Sequence, residues 1–551
     1  MTITPDHFPT TTAGLRAARA SELVELADGA RYELHIGPVA KRLGPDTVRM
    51  LAYSGSIPGP TLKVREGSEI VVDIHNEGDL DATVHWHGLR LENRYDGTHE
   101  TQRPMAVGER FSARLSFPDP GVYWYHPHIR EDYGQEMGLY GNVLVEPADP
   151  EYWPPIHREV LLTLDDILLE NGQVAAFDRG ETTHAAMGRF GNVLLVAGEP
   201  DLALRARRGE VVRFYLTNTA NTRVFKVALP GARMKLVGGD SGRVEHEEFV
   251  SEVVLAPSER VVIDVLFAEA GSLTLEHHTP DRIYPLAAIA VAEEAATPAL
   301  EEQFDTLRTN ADMVAQRERI ARHVEREPDR TLSFLAEMDM GMPEGDGPVT
   351  YACPMHPDVV SDVPGHCPEC GMKLLASQLV GEAPTHGHDD GHGAHDHEHG
   401  GGHDHAHATA DGIEWEDDMV EVNRMTTPAN MRWKLVDAQT GAENGAIDWR
   451  MHVGDQVKIR LRNEMAGDHP MHHPFHVHGA GRFLVLSRDG VTEPNLVWKD
   501  TVLVRTGETV DILLDVTNVG RWMAHCHIAE HHESGMMFSF DVASRDGEQT
   551  P

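Results

Sequence analysis

An all-β chain built from three sandwiches of one kind is what this sequence predicts, on three observations. One segment occurs three times, as VREGSEIVVDIHN (Gly67 to Asn76), ARRGEVVRFYLTN (Gly209 to Asn218) and HVGDQVKIRLRN (Gly454 to Asn463), each with an asparagine nine residues after its glycine. A second shared block follows each copy: VGERFSARLSFPDPGVYWYH, PSERVVIDVLFAEAGSLTLEH and TGETVDILLDVTNVGRWMAH, in which Gly108 to Gly121, Ser258 to Gly271 and Gly507 to Gly520 are each thirteen apart. Within both blocks apolar residues alternate with polar ones, the period of a half-buried strand and not of a helix. Strand, turn, strand at that spacing, three times over, reads as one β-sandwich repeated.

Along the chain, a tail at 1–19 leads into a first sandwich at 20–148, and a second follows at 157–293. Residues 294–345 read as a helical, methionine-containing linker, because 299–326 has helical spacing and dense charge. Met338, Met340 and Met342 close that linker, placed either to bind Cu(I) or to pack beside the helix. A cysteine-containing module is expected at 350–376, a Gly/His/Asp tract that cannot build a core at 380–411, and the third sandwich at 412–545.

Composition narrows the function. With 551 residues, 40% hydrophobic and 25% charged, the chain is long and apolar enough for several cores. Lys+Arg is 48 against Asp+Glu 88, and 48 − 88 gives −40, a surface that repels phosphate backbones and anionic lipids and attracts cations. Nucleic-acid and membrane partners are therefore not expected, and no run approaches the ~18 apolar residues of a membrane-spanning helix. A monomer is expected. The N-terminus carries neither a charged and then apolar leader nor twin arginines, so a cytoplasmic location is expected if Met1 is the native start, and an exported one if a leader was removed. Three of the four cysteines (353, 367, 370 and 526) crowd into eighteen residues, so no disulfide framework spans the chain. The 35 histidines are concentrated in motifs and one tract, which asks for a metal.

Four histidine motifs sit at matched places in the first and third repeats: HWHG (His85, His87), YHPH (His126, His128), HPFHVHG (His473, His476, His478) and HCHIAEHHESGMM (His525, Cys526, His527, His531, Met536). His126 is five residues after Gly121 and His525 five after Gly520, so HPH and HCH end equivalent strands. Two imidazoles spaced i, i+2 on a strand point to one face, so two such pairs from each of two domains place eight imidazoles around one cavity. Eight imidazoles suit about three copper ions, the complement needed to reduce O₂ by four electrons without releasing peroxide. The remaining Cys526, His473, His531 and Met536 make a thiolate, two imidazoles and a long thioether, the donor set of a blue-copper electron-transfer site. In HCH, Cys526 points away from His525 and His527, so the backbone itself joins the two sites. The middle repeat has adjacent His277 and His278, which on a strand face opposite ways, and reads as a metal-free spacer.

These motifs resemble the multicopper oxidase family, over about 400 residues outside the 294–411 region and the tails. The resemblance implies three cupredoxin-like Greek-key sandwiches, four copper ions, and O₂ with a small reducing substrate or Cu(I) as reactants. It implies type 1 copper on His473, Cys526 and His531 with Met536 axial, type 2 on His85 and His476, and a type 3 pair on His87, His126, His128, His478, His525 and His527. Asp96, in NRYDGTHETQ, matches an acidic position that relays protons in family members, although Asp-Gly is also a turn signal. Many relatives place a carboxylate directly after the second type 1 histidine; here His532 stands there and Glu533 follows, so the proton route on that side departs from the pattern. Trp86 and Trp124, inside metal motifs, read as packing residues.

The segment YACPMHPDVVSDVPGHCPECGMKLL resembles the short heavy-metal-binding domain of copper and silver efflux components. Cys353, Cys367, Cys370 and His356 form a set suited to tetrahedral Zn²⁺, and Met355 and Met372 add thioethers that favour Cu⁺. Nine histidines from His386 to His407 form a loose cation-binding tract. The expected function is therefore a laccase-like oxidase of phenols or Cu(I) with a copper-homeostasis role. The competing reading is a copper storage or delivery protein with a weakly active oxidase core, against which the intact ligand sets argue.

Overall fold

The asparagine that ends each repeated strand is the lock of each sandwich. Asn76, Asn218 and Asn463 are all buried. Each donates its side-chain N–H groups to two carbonyls: Leu80 and Met105, Arg223 and Leu255, Met471 and Val504. Each also accepts the backbone N–H two residues on, from Gly78, Ala220 and Met465. One amide thus satisfies three backbone groups where the chain leaves the sheet, which a shorter or apolar residue cannot do.

The computed structural model describes residues 7–338, 351–352, 358–361, 375–376, 411–465 and 470–545. In the first sandwich, a sheet ordered Asp46–Tyr53, Arg31–Leu43, Glu69–Asn76, Arg110–Ser116 shares one core with a second sheet. That second sheet is ordered Leu23–Glu25, Thr61–Arg65, Gly141–Glu146, Gly121–His126, His85–His87. The middle and third sandwiches each pair a six-stranded sheet with a five-stranded one around their own cores. In all three, the opening strand runs parallel to the repeated strand: Arg31–Leu43 with Glu69–Asn76, Arg158–Ile167 with Glu210–Asn218, and Arg330–Met338 with Gln456–Asn463. The fold is three cupredoxin-like β-sandwiches.

One expectation about the 294–345 segment, that it is a linker throughout, is corrected. The charged stretch forms two helices, Glu301–Asp305 and Ala311–Val324, the second seated on the third sandwich through Met313 and Ile320 against Leu484, Leu486 and Trp498. Beyond it the chain is not a linker. Arg330–Met338 is the opening strand of the third sandwich, paired antiparallel with Met431–Asp437 so that Met338 lies opposite Met431. The cysteine module and histidine tract therefore interrupt the third sandwich between two neighbouring strands. Of the module, the short paired strands Tyr351–Ala352, Val360–Ser361 and Leu375–Ala376 are described. Its Cys353, Met355, His356, Cys367, Cys370 and Met372, the tract histidines, and Met340 and Met342 lie outside the described residues.

Candidate metal centre

The two halves of the centre come from equivalent strand pairs. In the first sandwich His85–His87 lies antiparallel to Gly121–His126, with His85 opposite His126 and His87 opposite Trp124. In the third, His473–Val477 lies antiparallel to Gly520–Cys526, with His476 opposite His525 and Phe475 opposite Cys526. The alternation of side chains then sends His525 and Cys526 to opposite faces. His85, His87, His126, His128, His476, His478, His525 and His527 are all buried where the sandwiches meet. They form three sets, His85/His87/His476, His87/His126/His527 and His128/His478/His525, whose ligating atoms lie within 4.8 Å of one another.

Backbone contacts set which ring nitrogen each histidine offers. Nδ1 donates to the carbonyl of Asp96 from His85 (2.7 Å), of Pro127 from His126, of Asp500 from His476 and of Cys526 from His525 (2.9 Å each). That leaves Nε2 of these rings as the metal-facing atom, free in His85, His126 and His476 and 3.0 Å from His478 Nε2 in His525. His87 is reversed: its Nε2 is held by Asp500 Oδ1 (2.9 Å) and Thr501 Oγ1 (3.0 Å), so Nδ1 is the free atom.

The cavity is suited to cations. Nε2 of His85, His126 and His476, Nδ1 of His87, and both nitrogens of His128 and His527 are buried with no hydrogen-bond partner. Leaving each bare costs roughly 1–3 kcal/mol. Burial also keeps the imidazoles neutral, pushing His126 and His525 down to about 3 and the other six far below their ordinary value. Neutral, desolvated imidazoles aimed at one another fit copper ions.

On the other face of the strand, Cys526 Sγ lies 3.4 Å from His473 Nδ1 and 3.7 Å from His531 Nδ1. These three form a fourth buried ligand set. Met536 is buried beside them; its carbonyl accepts the Cys526 N–H (3.1 Å) and its N–H donates to the His531 carbonyl (3.0 Å). Trp433, which the motifs did not flag, stacks on the His531 ring at 3.9 Å and donates its indole N–H to Ala185. Burial pushes the Cys526 thiol well above its usual range, so a bare thiolate is disfavoured there and a metal cation offsets that cost.

Around the ligands stand supporting residues, some legible in the sequence and others revealed only by the packing. Asp96 was expected from the sequence: its Oδ2 is 2.8 Å from His478 Nδ1, and burial pushes its carboxyl up to about 6. Gly97 follows because a Cβ there would collide with the Val84 carbonyl. Asp500 was not expected. It holds His87, and is itself held by Arg260 of the middle sandwich, whose Nη1 donates to Oδ1 at 2.7 Å. Gly88 of HWHG is the counterpart of that pair, since a Cβ would strike both the Asp500 carboxylate and the Arg260 guanidinium. The middle sandwich is thus a support of the centre, a correction to its reading as a spacer.

Glu131 was also missed. Its fully buried carboxylate lies 3.1 Å from His126 Nδ1, 3.2 Å from His532 Nδ1 and 3.7 Å from His527 Nδ1. The carboxylate absent at position 532 is thus supplied by the first sandwich. Glu533 stands one shell further out, accepting the Glu131 N–H at 2.9 Å, and burial pushes its carboxyl up to about 8. Trp124 stacks on His126 at 4.1 Å and Trp86 packs against Tyr125.

Residues 39–150 and 416–546 match the multicopper oxidase family, and residues 350–376 match the heavy metal binding domain. The chain is 25% identical to multicopper oxidase MmcO of Mycobacterium tuberculosis, over 96% of this chain and 91% of that protein. It is 22% identical to a copper resistance protein A homolog of Pseudomonas syringae pv. tomato, over 92% and 91%. Among solved structures, a metallo-oxidase from Campylobacter jejuni shares the fold at a TM-score of 0.65 and 19% identity, over 96% of this chain and 98% of that one.

Proposed function

We propose that this chain, a member of the multicopper oxidase family, takes electrons from its substrate beside Cys526 and delivers them to O₂ in the eight-histidine cavity. One observation carries this reading: the single strand Gly520–Cys526 gives its thiol to one ligand set while His525 and His527 belong to the other. His473, Cys526, His531 and Met536 are assigned to type 1 copper, and His85 and His476 to type 2. His87, His126 and His527 are assigned to one type 3 ion, and His128, His478 and His525 to its partner. Bound copper supplies the one-electron couple at the thiolate and, at the cluster, the reduction of O₂ by four electrons and four protons to two waters.

The chain's own residues hold the geometry and the protons. Cys526 is joined covalently to His525 and His527, so its side chain and two peptide units form the shortest path between the sites. Arg260 fixes Asp500, which fixes the His87 ring and, through its carbonyl, His476. Asp96 carries an exchangeable proton near neutral pH at the carboxyl facing His478. Burial holds the Glu131 carboxyl well above the usual carboxylate range, so it favours the protonated form beside His126 and His532.

The substrate is assigned as Cu(I) in addition to phenols, which supports a role in copper homeostasis. The thiols and thioethers of the inserted module favour Cu⁺, with Zn²⁺ the alternative occupant, and the nine histidines of the tract, inserted in the sequence of the third sandwich, add donors that raise the local metal concentration there. The test is O₂ consumption with Cu(I) and with a phenol, by the copper-loaded full chain and by a chain lacking residues 345–410. The deletion leaves Arg330–Met338 and its neighbour Met431–Asp437 intact, so phenol oxidation and blue colour are expected to persist. Cu(I) oxidation is expected to fall when copper is scarce. Equal loss of both activities would make the insert a structural part of the sandwich, and loss of neither would remove its delivery role.

A further inference from the structure

The outward face of the first sandwich carries a further group of metal-ligating side chains, none of which belongs to the four copper motifs. Strands Arg31–Leu43 and Glu69–Asn76 run parallel, with His35 opposite His75 and Glu33 opposite Asp73. Glu33 and His35 are two residues apart, so both point to the face that His75 shares. The His35 and His75 rings stack at 4.5 Å and 12°. Ligating atoms of Glu33, His35 and His75 lie within 4.8 Å of one another. Two carboxylates flank the His35 ring, Glu77 at 3.4 Å from Nδ1 and Glu33 at 3.8 Å from Nε2. Asp73 is committed to Arg31 and Ser112 and Glu77 faces His35 Nδ1, whereas Glu33 is the carboxylate that shares one ligand set with both His35 and His75. His75 Nε2 is buried without a hydrogen-bond partner, although its neighbourhood is polar.

We propose that Glu33, His35 and His75 bind a divalent transition-metal ion, Zn²⁺ or Cu²⁺, on the first sandwich and apart from the oxidase coppers. Two imidazoles and one carboxylate are a borderline N₂O donor set, which suits these ions better than Ca²⁺ or Mg²⁺. Side-chain exposure of 40% at His35 and 71% at Glu33 leaves room for water to complete the coordination. The stacked rings send their lone pairs side by side, so binding requires each to turn about its Cβ–Cγ bond. That torsion is broad for histidine and opposes the motion weakly. The net charge of −40 raises the local concentration of cations. An ion held there ties two strands whose pairing defines the sheet, and by mass action it stabilises the fold.

The site is tested by diethyl pyrocarbonate modification of the copper-loaded full chain, mapped residue by residue with Zn²⁺ as the probe. Mapping separates His35 from every other zinc-binding histidine in the chain. With free Zn²⁺ at about ten times the dissociation constant, modification of His35 is expected to slow about tenfold, following the unoccupied fraction. His75→Ala is expected to abolish that protection while leaving blue colour and oxidase turnover unchanged. Glu33→Gln, at an exposed position that cannot unfold the sheet, is expected to demand several-fold more zinc. The site does not exist if His35 reacts equally fast at zinc levels that saturate the His386 to His407 tract. Full protection in both variants would equally overturn the three-ligand assignment.

Discussion

The middle and third sandwiches fill the same backbone slots with different chemistry. Counting six residues from Gly271 and from Gly520 reaches His277 and Cys526. His277 lies opposite Val227, as Cys526 lies opposite Phe475. Cys526 is surrounded by His473 and His531, whereas His277 is packed among the rings of Phe225, Tyr284 and Trp415 and its Nδ1 accepts the Lys226 N–H. On either side, Glu276 and His278 stand where the third sandwich has His525 and His527, and they bond each other at 2.8 Å. A cupredoxin frame therefore does not make a copper site. The frame supplies a strand end with two faces, and the residues there decide whether that end binds metal or packs. The middle sandwich contributes instead from another strand, through Arg260.

The contrast can be broken most completely at Cys526. Cys526→Ser should abolish the blue absorption and all oxidase turnover, because a hydroxyl is too hard a donor to bind this copper or to conduct to His525 and His527. Retained blue colour would sink the assignment. Next in size is the support from the middle sandwich. Asp500→Asn removes the carboxylate that joins Arg260 to His87, leaving Arg260 its second acid, Asp240, and loosens His87; outer-shell changes of this kind cost about 10–100-fold in metal affinity or activity. Copper analysis should show loss from the cluster while the blue band persists; full cluster occupancy and unchanged turnover would make the pair merely structural.

The shared frame itself is tested by Asn218→Ala. Losing its hydrogen bonds in the middle sandwich should cost about 2–3 kcal/mol of stability, read as a lower unfolding midpoint, with the copper spectra unchanged. No change in midpoint would mean that the repeated asparagine is not the lock described above. The smallest effect is expected at Met536. Met536→Leu should retain the copper and raise its potential, since losing a weak thioether donor disfavours Cu(II). A potential that stays or falls would point to Met537 instead.

Much of the fold and of the ligand set was legible in the residues. Period-two alternation marks strands wherever it occurs, the repeated Gly-to-Asn spacing marks three equivalent units, and H-x-H on a strand needs no tertiary knowledge to put two imidazoles on one face. Even Asp96 was visible, as an acid in a tight turn close to HWH. Arg330–Met338 was not, because a strand beside a charged helix and before a long insertion has no partner in its own neighbourhood; its pairing with Gln456–Asn463 closes over more than a hundred residues. Glu131 carries no motif, and Arg260 sits in the one sandwich without copper motifs.

What the sequence by itself determined, then, was everything that depends on local backbone period: the strands, their faces, and the donor atoms they carry. Only the tertiary structure decided which sandwich faces which, and so how the supporting shell is shared among all three. His87 meets Asp500 across 413 positions and Asp500 meets Arg260 across 240. The reason is physical. A strand's side-chain direction follows from its own dihedral angles, whereas a contact between distant sheets exists only once burial of their apolar faces has brought them together.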